Sequence, residues 1–302
     1  MATSSTPALR PLKGIRILSL ALNLPGPAAL MRCKQMGATC IKLEPPAPGN
    51  APPGTSGDPM GQYNRPAYAQ LHDGVKRLTA DLKTEAGQKA LHRELAKADV
   101  LLTSFRPSAL EKLGLGWKAL HKRYPGLSQV AIVGAPGTLA EVPGHDLTYM
   151  ADNGLVTGLD LPPTLYADMG GSVMVSEAVL QATLARQTRG KGVFIEVALS
   201  AAASYLALPR AWGLTLPTGS VGGAHAGYRV YPCKDGRVAV AALEPHFAAA
   251  LCAVAGVAAS DIRSLFTPAT HQAIAAFLLT QTRQQLDVLA VAKDLPLHTL
   301  SK

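Results

Sequence analysis

The sequence predicts an α/β fold built on a parallel sheet, and three observations lead to that expectation. Short apolar runs alternate with helix-patterned segments through roughly the first 135 residues. The first strand–helix–strand unit takes about 30 residues, enough for the crossover that parallel neighbours require. After Pro217 the texture changes to alternating strands joined by a tight turn.

In chain order, "GIRILSLAL" (Gly14–Leu22) reads as a buried strand. "PGPAALMRCKQMG" follows as a helix opened by proline and stopped by Gly37, and "ATCIKLE" as a second strand. Pro45–Gly61 is a loop by its proline and glycine content. Thr84–Ala98 is helical, Asp99–Phe105 a strand, and Ser108–Pro125 two short helices broken at Gly114 and Gly116. Leu127–Gly134 is another strand. The longest helix covers Gly170–Gly190, with Arg186 and Arg189 in its last turn, and "GVFIEVALSAAASYLAL" runs from strand into helix. A hairpin turns at Lys234–Gly236, and Phe247 to about Ala292 is mostly helical.

This alternation is Rossmann-like: a large domain over 1–214 with a parallel sheet, then a smaller α+β domain over 215–302. The first turn reads "NLPGPA" rather than G-x-G-x-x-G, so neither NAD nor FAD is expected. Apolar residues make up 48% and charged residues 16%, the balance of a folded chain. Cys33, Cys40, Cys233 and Cys252 form no CxxC pair, and read as reduced core thiols rather than a zinc site or disulfides. The start "MATSSTPALRPLKG" lacks a signal-peptide core and no run of 18 apolar residues exists, so a soluble, cytoplasmic protein without membrane contact is expected. "HTLSK" is not a peroxisomal address.

A formal charge of +9 asks for a partner. The basic residues are scattered and aromatics reach only 5%, which disfavours nucleic acid. A small polyanion with several phosphates fits scattered Lys and Arg equally well, as does a merely basic surface.

Two stretches carry candidate chemistry. Asp168 precedes Gly170, Gly171 and the longest helix, so it reads either as an N-cap or as a carboxylate beside an oxyanion-binding helix start that the glycines leave open. In "PGHDL", His145 reads as a surface residue with Asp146 capping a helix, or as a general base. Glu244, after the hairpin, is an exposed loop residue or the group that orients His145. His, Asp and Glu together suit proton abstraction beside a carbonyl without a metal or redox cofactor.

The motifs "PLKGIRIL", "GATCIKLEPP", "FRPSALEKLGLG", "GHDLTY", "YADMGGSVM" and "YPCKDGRVAV" resemble those of the family III CoA-transferases of CaiB/BaiF type, over Pro11 to about Leu297. The histidine of Gly144-His145-Asp146 and the glutamate of Leu243-Glu244-Pro245-His246-Phe247 resemble the α-methylacyl-CoA racemase branch. That resemblance implies a homodimer of interlocked subunits and an acyl-CoA thioester as substrate. It implies that His145, supported by Glu244, and Asp168 flank the α-carbon and invert it, with the enolate oxygen at Gly170–Gly171. Lys42, Arg77 and Arg106 would hold CoA phosphates. The alternatives are a CoA-transferase forming acyl intermediates on Asp168, and a non-catalytic acyl-CoA-binding homologue. Pro45 replaces an arginine common in the family, which implies one CoA contact fewer. The chain is also expected to lack the family's C-terminal return segment.

Overall fold

The structure, a computed structural model, describes residues 9–51, 55–258 and 261–301. The first eight residues, part of the Pro45–Gly61 loop and Lys302 lie outside them. The chain forms two compact units, one up to Ala207 and one from Leu208.

The first unit carries β1 (Arg16–Ser19), α1 (Pro25–Gln35), β2 (Thr39–Glu44), α2 (Pro59–Tyr63), α3 (Arg65–Leu71), β3 (Lys76–Thr79), α4 (Glu85–Leu95) and β4 (Val100–Thr103). It continues with α5 (Pro107–Lys112), α6 (Trp117–Arg123), β5 (Ser128–Val133), α7 (Asp146–Asp152), α8 (Tyr166–Arg189), β6 (Phe194–Ala198) and α9 (Leu199–Leu206). Its six strands are all parallel, in the order β3-β2-β1-β4-β5-β6. The order reverses between β1 and β4, so the crossovers from those two strands leave on opposite sides and open a crevice at their carboxyl ends.

Helices cover both faces of this sheet, so its central strands are apolar throughout rather than alternating. Ile17, Cys40, Val100 and Ile132 pack on one face with residues of α1 and α8. Leu18, Ile41 and Leu101 pack on the other with Leu91 and Leu95 of α4 and Leu120 of α6. The edge strand β3, "KRLT", is almost wholly exposed, which is why no apolar run marks it in the sequence.

The longest helix begins at Tyr166, four residues earlier than expected. Gly170 and Gly171 are therefore internal helix residues, and Asp168 lies in the first turn rather than at the cap. The glycines serve packing. A Cβ on Gly170 would sit 3.1 Å from Leu206, and one on Gly171 would overlap Leu199, so their absence lets α8 and α9 approach closely.

The second unit contains α10 (Leu208–Ala211), β7 (Tyr228–Cys233), β8 (Gly236–Ala241), α11 (Pro245–Val254), α12 (Pro268–Thr280), α13 (Arg283–Lys293) and β9 (Leu297–Leu300). The hairpin turns at Lys234–Asp235 as expected, and β9 adds a third antiparallel strand beside β8. Val238, Leu251, Ile274, Leu278 and Leu286 form this unit's own core. Among the described residues, no helix is long and apolar enough to cross a membrane.

Candidate active site

The crevice at the reversal point holds a pocket of about 260 Å³. Its walls come from the turn after β1 (Leu22, Asn23), the turn after β4 (Ser104–Arg106), the end of β5, the 142–145 segment, and α8. His145, Asp168 and Arg106 all line it. Residues 23 positions apart in sequence thus face one cavity, because a hydrogen bond from the Asp168 N–H to Asp146 joins the starts of α7 and α8.

His145 is the N-cap of α7, yet its ring makes no cap bond. The backbone closes the cap instead: the His145 N–H donates to Thr148 Oγ1 at 3.1 Å. This leaves the exposed imidazole at the pocket wall, with no side-chain cap bond made by its ring among the described residues. Asp146 does not cap its own helix. It is buried, 5% exposed, and its Oδ1 accepts the Asp168 N–H at 2.9 Å, so it caps α8 from outside.

That arrangement sets the character of Asp168. Burial pushes its carboxyl up to about 6, the adjacent Asp146 charge adds to the rise, and His145 opposes it. A carboxyl near 6 exchanges protons easily around neutrality, in the range where histidine side chains ordinarily titrate. Gly170 and Gly171 do not form the oxyanion site expected of them, however. The Asp168 N–H is already bound, and the Gly170 and Gly171 N–H groups lie within the helix ladder.

The expected phosphate-binding cations separate. Arg106 is exposed at the N-cap of α5 and lines the pocket. Arg77 is exposed on β3, donates to the Tyr68 hydroxyl at 3.3 Å, and stacks its guanidinium over that ring. Lys42 is fully buried and its ammonium pairs with Asp58, also fully buried. Burial pulls the Lys42 pKa down, with Asp58 and Glu44 opposing the fall. Its charge is answered inside the protein and does not face solvent. The same Asp58 carboxylate accepts the N–H groups of Asn23 at 3.1 Å and Met60 at 3.0 Å. Asn23, in a left-handed conformation with φ 62°, is held there at the pocket wall.

Glu244 belongs to the second unit, where it stands exposed at the N-cap of α11 without a side-chain cap bond. Two pocket residues were not singled out from the sequence: Asn23, and Tyr149, four positions after His145 within "GHDLTY". The four-residue spacing from His145 was the available signal, since it places both side chains on one helix face.

A family model described as CoA-transferase family III matches residues 12–302. The probable fatty acyl-CoA transferase Rv3272 of Mycobacterium tuberculosis is 34% identical over 205 residues, covering 65% of this chain and 52% of that protein. The mouse alpha-methylacyl-CoA racemase is 30% identical over 276 residues, covering 85% of this chain and 68% of that one. The aligned region thus spans about half the length of the first of these relatives. A crystal structure of the M. tuberculosis Rv3272 protein superposes with a TM-score of 0.78 at 25% identity, covering 97% of this chain and 86% of that one.

Proposed function

The chain belongs to CoA-transferase family III, and from that premise we propose that it inverts the α-carbon of a 2-methylacyl-CoA thioester by two-base proton transfer. The observation that carries this reading is the shared pocket of His145 and Asp168, with Asp168 raised to about 6. The neutral imidazole takes the α-proton from one face, the electron pair moves onto the thioester oxygen, and the Asp168 carboxyl returns a proton to the other face. In the opposite direction the Asp168 carboxylate is the base and the imidazolium the acid. Each turnover begins and ends with one proton on the pair. Arg106 at the pocket and Arg77 on β3 are the proposed phosphate contacts.

We further propose that the protein acts as a homodimer in the cytoplasm. Leu165, Tyr166, Met169 and Val173 of α8 and its approach, with Tyr205 and Leu206 of α9, expose an apolar surface suited to a second copy. Four free, buried cysteines agree with a reducing compartment.

Relatives named as CoA-transferases are as similar as the racemases, which supports a second reading. There Asp168 attacks the thioester carbonyl, releasing CoA thiolate and leaving an acyl anhydride. The test is α-proton exchange: incubation with a 2-methylacyl-CoA in deuterated buffer, following deuterium at C2 by mass spectrometry. Exchange abolished by His145→Ala supports the racemase reading. Absence of exchange, with an Asp168-dependent hydroxamate formed on adding hydroxylamine, replaces it with the transferase. Binding with neither reaction leaves an acyl-CoA-binding homologue.

A further inference from the structure

Proton abstraction places negative charge on the thioester oxygen, and the donors expected at Gly170–Gly171 are not available for it, because both glycines lie inside α8 and the Asp168 N–H before them is held by Asp146. The pocket contains a better-placed group. Tyr149 follows His145 by one helical turn, lines the same cavity and is 7% exposed. Its backbone carbonyl accepts from Asn153, while its hydroxyl has no hydrogen-bond partner among the described residues. The ring is buried but the hydroxyl is not among the sealed, unpartnered polar atoms of the described residues, so it stands open to the pocket and free to bond what enters it.

Space around this hydroxyl is built into the chain. Gly134, after β5, and Gly144, before His145, both line the pocket against the Tyr149 ring. A Cβ on Gly144 would lie 2.7 Å from the hydroxyl oxygen, and one on Gly134 closer still. Each glycine leaves the phenol room that any larger residue would fill.

We propose that Tyr149 is a catalytic residue that donates a hydrogen bond from its hydroxyl to the thioester carbonyl oxygen of the bound acyl-CoA, stabilising the enolate between His145 and Asp168. The assignment rests on the racemase reading above. The phenol stays protonated throughout, since burial raises its pKa and the nearby Asp168 charge raises it further. The charged and titratable groups that line the same pocket are His145, Asp168 and Arg106, and Asp168 is the charge that acts on the phenol. Tyr149 therefore acts as a fixed electrophile while the proton shuttles between the other two.

Tyr149→Phe removes only the oxygen and strands no partner, so the variant keeps its melting temperature. Infrared difference spectra of a bound acyl-CoA labelled with ¹³C at the thioester carbonyl read the contact directly, without turnover. In the unsubstituted protein the carbonyl stretch moves to lower frequency on binding, and in Tyr149→Phe much of that displacement is lost. Equal frequencies in the two proteins overturn the assignment. In parallel, α-deuterium exchange falls about 100-fold in the variant with KM changed less than about three-fold, the usual result of deleting one oxyanion donor. A variant exchanging at the full rate also overturns it. Failure of the racemase reading is distinguishable, since it appears as absent exchange in the unsubstituted protein, whatever the carbonyl spectrum shows.

Discussion

Asp168 is the residue whose surroundings decide most. Its carboxyl lies at about 6 because burial, then Asp146, disfavours the ionised form. An acid raised above its unfolded value is favoured in the fold when protonated, so stability is lost as pH rises from about 4 through about 6. Asp168→Asn, a neutral isostere, is expected to abolish exchange yet stabilise the protein at pH 8 by on the order of 1–2 kcal/mol, with little gain at pH 4. Urea unfolding at the two pH values measures this; equal effects at both would contradict the assigned cause. Asp146→Asn keeps an oxygen for the Asp168 N–H while removing the charge. In the direction that uses Asp168 as base, kcat/KM falls as pH drops through about 6, and this variant should move that midpoint to lower pH. An unmoved midpoint would exclude Asp146 as its cause. The sequence shows both aspartates as helix-start residues, but their pairing depends on a contact 22 positions apart.

At the scale of elements, the turn between β1 and α1 is fixed by an ion pair that joins β2 to the start of α2. Lys42 and Asp58 are both fully buried, and Asp58 also binds Asn23 and Met60. Lys42→Met leaves that carboxylate unpaired, with an expected cost of about 3 kcal/mol. Adding Asp58→Asn should restore part of the loss, since the amide oxygen still accepts the two N–H groups. Thermal unfolding of the single and double variants tests this, and a Lys42→Met protein of full stability with weakened CoA binding would return Lys42 to phosphate recognition. In the sequence, "CIKLE" offers no way to see that the lysine turns inward. In a sheet covered on both faces, neither side of a strand is marked by polarity. The late placement of the α8 start has a similar origin. A glycine pair has weak helix propensity, and only the close packing against α9 explains why it lies inside a helix.

At the scale of the whole molecule, charge and apolar surface lead to separate expectations. With a net charge of +9, association with a polyanionic CoA ester should slow steeply as salt rises, measured by stopped-flow binding between low and physiological ionic strength. A salt-independent rate would show that the scattered cations play no steering part. The apolar residues exposed on α8 and α9 predict self-association, read by sedimentation velocity, and Met169→Lys with Val173→Glu should shift the protein toward monomer. A monomer at all concentrations would remove the homodimer from the proposal.

The sequence alone determined the α/β class, the strands of the central sheet apart from β3, and the hairpin, because these depend on local apolar runs and turn residues. It also marked His145 and Asp168 as chemical candidates through their motifs. Only the tertiary structure decided that both face one pocket, that Asp146 caps the neighbouring helix and raises Asp168, that Lys42 is paired with Asp58, and that Tyr149 lines the same pocket beside them. Each of those facts depends on what is buried against what across long stretches of chain, and burial, not residue identity, sets the energy of a charge or a hydroxyl.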